Sequence, residues 1–188
     1  HLRDAVLPEL ADKARRRGEH CIRTWSAGCA SGEEPYTIAI IWVRYVRPAF
    51  PDITLHVVAT DADEQMLQRA QRATYPASSL KDAPADWLET VFVRSARDWV
   101  LRPEFREQVE FRLQDIRTQT PAESFDLILC RNLVFTYFAE PLQRQVLERL
   151  TEHLLPGGFL VIGKHETLPA GTPGLEPTSS GLGFIRPA

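Results

Sequence analysis

Three cysteines, Cys21, Cys29 and Cys130, are odd in number and lack paired spacing. They make no disulfide framework, and with no secretory leader in view they read as reduced thiols of a cytoplasmic protein. No apolar run approaches the ~20 residues that span a bilayer, so membrane insertion is not expected. The net charge of −3 lacks the basic excess that grips nucleic acid. Arg15, Arg16 and Arg17 read as the solvated last turn of a helix over 3–17, stopped by Gly18. The five histidines show no ligand spacing, so no metal is expected. Repeats and low-complexity tracts are missing too, and the Gly/Pro/Ser-rich stretch 169–183 reads as loop. What remains is 188 residues, 44% of them hydrophobic, the make-up of one globular domain. It opens on His1 rather than Met, so a preceding portion is expected.

The most informative stretch is 22–39. Residues 22–27 read as a strand, and Gly28, Ala30, Ser31 and Gly32 as a turn with little side chain between backbone and ligand. Glu33, Glu34 and Pro35 open a helix, where acidic residues and proline suit the first turn. This is a nucleotide-binding first loop of an α/β fold. It lacks the third glycine of the dinucleotide fingerprint, and its two carboxylates repel a pyrophosphate, which disfavours a nicotinamide-dependent oxidoreductase. A nucleoside without phosphates fits better. S-adenosylmethionine is the candidate, because Glu34 suits its cationic methionine end.

Strands are expected at 53–59, 109–113, 125–130 and 159–162, and helices at 33–46, 64–72 and 141–155. A weak antiparallel hairpin is expected from 175–177 and 183–185. The alternation implies a doubly wound, mostly parallel Rossmann-like sheet with ligands beyond the strands' carboxyl ends. Residues 75–110 are too long for a plain connection and read as an inserted β subdomain. At the strand ends, Asp61 is placed to accept ribose hydroxyls, with Asp63 as a helix cap. Asp115 and the Ile116 amide are placed at the adenine edge, and Arg131, with His165 and Glu166 beyond the last parallel strand, at the rim. His56 reads as an ordinary strand residue. A carboxylate acceptor is ionised at neutral pH, so methyl transfer to it needs alignment more than a base. Arg3, as acceptor clamp, and Tyr137, as hydroxyl, are the catalytic candidates. Cys29 and Cys130 read as small packing residues.

These residues resemble the CheR-type chemotaxis methyltransferases, class I enzymes that methylate glutamates of bacterial chemoreceptors. The resemblance lies in 25–39 (WSAGCASGEEPYTIA), 60–63 (TDAD), 125–132 (FDLILCRN), 155–163 (LPGGFLVIG) and the Leu2-Arg3-Asp4 start. It implies that Arg3, Glu34, Asp61, Asp115, Ile116, Cys130 and Arg131 contact S-adenosylmethionine or its demethylated product, with Gly28 and Ala62 in the loops that carry them. It implies a receptor-peptide role for 75–110 and an acidic protein as partner. There are departures. Asp115 stands where the family has Asn. The active-site tyrosine position falls on Thr136, with Tyr137 one later. Residues 163–166 read GKHE rather than GHSE, and the family's N-terminal helical domain is absent from these residues. A small carboxylate or hydroxyl acceptor, and a binding module without turnover, are therefore kept as alternatives.

Overall fold

The structure, a computed structural model, describes residues 1–178 and 183–187. Its centre is a seven-stranded sheet of β1 (Cys21–Ala27), β2 (Thr54–Asp61), β6 (Val109–Leu113), β7 (Phe125–Cys130), β8 (Leu154–Ile162), β9 (Glu176–Pro177) and β10 (Phe184–Ile185). The order is β6-β2-β1-β7-β8-β10-β9. The first five strands in that order run parallel, and β10 is antiparallel to both its neighbours. This is the doubly wound sheet expected, with its edge hairpin. β7 is buried at every position, as a central strand covered on both faces should be.

Side chains alternate between two apolar layers. Ile22, Leu127, Leu129 and Phe159 join one, with α1 (Leu7–Arg16) and Trp42. Trp25, Ile128, Cys130 and Leu160 join the other, with α7 (Glu140–His153). Trp25 is wholly buried and its indole N–H donates to Thr60 Oγ1 at 2.9 Å, so burial leaves its donor satisfied. Asp126, also buried, accepts from the Arg17 guanidinium at 2.5 Å and from the Arg23 amide at 2.9 Å.

α2 (Glu33–Ile41) runs on into a π-turn over Trp42–Val46, so the expected helix over 33–46 is continuous but changes pitch. The insertion is a three-stranded antiparallel sheet of β3 (Thr74–Pro76), β5 (Asp98–Leu101) and β4 (Phe92–Ser95), with α4 (Ala85–Thr90) before β4 and the single turn α5 (Pro103–Arg106) after β5. α3 (Glu64–Arg72) starts at Asp63, whose carboxylate accepts the Gln65 and Met66 amides, as expected of a cap.

Two elements differ from expectation. β8 begins five residues early and carries Pro156, Gly157 and Gly158 inside it. The register with β7 jumps there, from Phe125↔Leu154 to Leu127↔Phe159. The Gly157 amide and Gly158 carbonyl pair instead with Arg186. The glycines therefore form a bulge stitched to the tail, not a turn before the strand. The second is a single helical turn, α6 (Val134–Tyr137), between β7 and α7; four residues are too short to show a helical period.

Candidate functional site

Strand order reverses between β1 and β7, which pair side by side with β2 and β8 on their outer flanks. The crevice at their carboxyl ends is where such sheets hold ligands. The loop 28–32 fills one side of it. Gly28 and Cys29 donate to the Thr60 carbonyl at 2.8 and 3.0 Å, and the Ala30 amide donates to Asp61 Oδ2 at 2.8 Å. Gly28 has φ 78°, and a Cβ there would lie 2.3 Å from Leu133 Cδ2. The loop is thus backbone tied to the end of β2, with no side chain at its tightest point.

Glu34 lies in the first turn of α2. Its Oε1 accepts the Ser26 hydroxyl at 2.7 Å and its Oε2 the Arg131 guanidinium at 3.1 Å. Burial pushes its carboxyl above the ordinary value, with Ser26 and Arg131 pulling the other way. An acid desolvated in this way gains by meeting a further cation. Asp61 uses Oδ2 on Ala30 and Oδ1 on the Asp63 amide at 2.9 Å. Each oxygen keeps a second lone pair, enough to accept ribose hydroxyls. Ala62, beside it, is exposed. Gln114, next to the β6 end, donates its backbone N–H to the Asp61 carbonyl at 3.0 Å, and its buried side-chain Oε1 has no hydrogen-bond partner among the described residues. A small-residue turn, a half-buried acid, an acidic strand end and an unpartnered buried acceptor together fit a nucleoside carrying an amino acid on sulfur, such as S-adenosylmethionine.

The other candidates divide. Arg131 joins the cluster through Glu34. Cys130 ends β7 wholly buried, and burial pushes its thiol up to about 12; Cys29 is raised likewise to about 12. Neither is a thiolate, so both are packing residues, not nucleophiles. Asp115 turns its carboxylate to its neighbour Arg117, at 2.6 Å and 2.9 Å, which holds it below the usual value. Ile116 is buried with Trp25 and Ala27. Asp115 follows Gln114 in the chain, and Gln114 is tied to Asp61.

Arg3 sits on a π-helical turn, Leu2–Val6, leading into α1. It pairs with Asp4 at 2.7 Å and stacks 5.3 Å from the Tyr45 ring centroid. It lines a cavity of about 1030 Å³ that also meets Trp87, Arg131, Gly163 and Glu166. Gly28, Asp61, Asp115 and Ile116 do not line this cavity, so Arg131 is the link between it and the loop. Tyr137 is not brought in: the residue is 75% exposed and does not line the cavity. Its neighbour Thr136 instead donates to Glu166 at 2.6 Å. The GKHE stretch at the end of β8 placed Glu166 on the rim, but nothing in it marked the partners that the carboxylate finds across the sheet. Among the described residues, no group of three or more His, Cys, Asp or Glu could hold a metal ion.

Residues 1–181 match the family model for the CheR methyltransferase SAM binding domain. The chemotaxis protein methyltransferase of Listeria monocytogenes is 34% identical over 185 residues, which are 98% of this chain and 65% of that protein. A probable chemotaxis protein methyltransferase of Rhizobium etli is 36% identical over 171 residues, 88% of this chain and 62% of that protein. The chain thus spans less than two thirds of these relatives' length. A solved structure of the N-methyltransferase NodS of Bradyrhizobium japonicum with S-adenosyl-L-homocysteine is similar at 17% identity and a TM-score of 0.46, covering 86% of this chain and 63% of that one. With the match running from the first residue nearly to the last, the chain belongs to the CheR methyltransferase family, as its SAM-binding domain.

Proposed function

We propose that this chain is the catalytic domain of an S-adenosylmethionine-dependent O-methyltransferase that esterifies glutamate carboxylates of an acidic protein of the chemoreceptor type. The observation that carries the cofactor is the half-buried Glu34, fixed by Ser26 and Arg131 at the switch point beside the Gly28 turn. When bound, the cofactor supplies an electrophilic methyl group on a sulfonium centre. Glu34 receives the cationic methionine end and Asp61 the ribose. The acceptor carboxylate is already ionised, so the chain's residues have no proton to remove. Their task is to orient the acceptor and exclude water, which is worth about 7–11 kcal/mol in favourable cases. Arg131, Arg3 and Lys164 are cationic side chains in the lining of the adjoining cavity, and one of the two arginines clamps the acceptor. The chemotaxis names of the relatives support a receptor as acceptor. Free cysteines and the lack, among the described residues, of any helix long and apolar enough to cross a membrane accord with work at the cytoplasmic side.

The test is a methylation assay with tritiated S-adenosylmethionine and bacterial chemoreceptor protein. Base-labile label on the receptor is the expected result. Label on small carboxylic acids with none on protein would move the acceptor. Cofactor binding without turnover on either would leave a binding module.

A further inference from the structure

Glu166 lies four residues past the end of β8, yet its carboxylate turns back over the sheet. Its Oε2 accepts the Gly163 amide at 2.6 Å and the Asn132 amide at 2.9 Å, and its Oε1 accepts the Thr136 hydroxyl at 2.6 Å. β7 and β8 are parallel neighbours whose ladder stops at Cys130↔Ile162. Amides just beyond that point have lost their strand partner and need an acceptor; a carboxylate is a strong one. The fit is close. A Cβ on Gly163 would lie 2.4 Å from Asn132 Oδ1 and 2.6 Å from Glu166 Oε2. Asn132 holds φ 53°, a left-handed conformation that Asn tolerates better than most residues. The bend it makes sends Arg131 to Glu34, Leu133 onto Gly28 and Thr136 to Glu166. One carboxylate from beyond β8 therefore fixes the loop that carries the β7 half of the site.

We propose that Glu166 is a positioning residue for methyl transfer: it clamps residues 131–136 so that Arg131 keeps its place between Glu34 and the adjoining cavity. This rests on the methyltransferase reading above. With three donors on it, the carboxylate holds backbone and hydroxyl in place and is not free to act as a base. The chemistry agrees, since an ionised acceptor needs none.

Glu166→Ala removes all three acceptor contacts. Glu166→Gln keeps one oxygen for the two amides and turns its amide group towards Thr136, whose hydroxyl can accept. Calorimetry with S-adenosylhomocysteine and the amide proton shifts of Asn132 and Gly163 read the two halves of the idea. The expected result is about tenfold weaker binding for Glu166→Ala, the loss of roughly one net hydrogen bond's worth of order. The two amide signals move upfield, and Glu166→Gln restores affinity to within about threefold. Glu166→Ala protein that binds like wild type overturns the proposal. So does a loss that Gln does not rescue and that simply follows a drop in melting temperature. Wild-type protein that binds no S-adenosylhomocysteine removes the methyltransferase reading itself, and the positioning role with it.

Discussion

Two loops face each other across the crevice, and they differ in how much of their shape their own residues announce. Residues 28–34, after β1, carry a signature of their own, with small residues, left-handed turns and an acid in the first turn of the next helix, and their amides are given to the end of β2. Residues 131–137, after β7, owe their path to a side chain some thirty positions away, because Glu166 supplies what their amide and hydroxyl donate to. A loop of the first kind can be read from its own residues. A loop of the second kind is settled by tertiary structure, and a neighbouring position, such as Thr136 or Tyr137, cannot be chosen from spacing alone. The Glu34–Arg131 pair is the bond that joins the two.

The loop after β1 should be the less forgiving. Gly28→Val places a β-branched residue at φ 78° and drives its Cβ into Leu133. Left-handed strain of about 1–2 kcal/mol adds to overpacking of about 1–3 kcal/mol. A loss of about 2–5 kcal/mol in urea unfolding is expected. A loss below about 1 kcal/mol would mean that the turn relaxes freely and that its geometry does not require glycine.

The joint between the loops has a pH signature. Glu34→Gln should weaken S-adenosylhomocysteine binding by about 1–3 kcal/mol, the range for a charge-assisted hydrogen bond. Burial raises the Glu34 carboxyl above its ordinary value of 4.5, so the folded protein binds that proton at a higher pH than the unfolded chain does. Its ionised form therefore costs stability at neutral pH, and that cost is relieved as pH falls through the raised value. Cofactor affinity runs the other way, since the protonated acid no longer attracts a cation. Wild-type protein should show affinity falling with acid, from above pH 4.5 downward, and Glu34→Gln should flatten that slope. Matching slopes in the two proteins would remove Glu34 from the site.

The same contrast explains what was legible beforehand. The strand runs at 53–59 and 125–130 are mostly apolar, broken only by Thr54 and His56 in the first and Asp126 in the second, and their alternation with helices made the doubly wound parallel sheet legible. The start of β8 was hidden because Pro-Gly-Gly is also a turn signal; only the partner at Arg186 makes it a bulge. Glu34 and Asp61 stood out because they flank a turn with its own signature. Asp115 stood at an equally suggestive strand end, but nothing in the sequence said that Arg117, two residues on, would take its carboxylate. Glu166 was visible as a rim acid and silent about its role, since two of the three groups it binds, the Asn132 amide and the Thr136 hydroxyl, lie on another loop some thirty positions away.

The smallest expected effect decides most about the second loop. Tyr137 is 75% exposed, and Tyr137→Phe should leave both stability and methylation within about 0.5 kcal/mol of wild type, the usual scale for a surface change. Thr136→Val removes the hydroxyl that Glu166 accepts, so it should cost about 1 kcal/mol of stability and slow turnover with tritiated cofactor severalfold. The reverse pattern would be informative: a loss with Tyr137→Phe and none with Thr136→Val requires the tyrosine to swing inward during the reaction. That swing would have to unwind the turn of α6, whose Tyr137 amide donates to Leu133 at 2.9 Å. It would also lift Leu133 from Gly28. Cofactor affinity and turnover would then fall together in Leu133→Ala, whereas a loop held still by Glu166 should lose affinity alone.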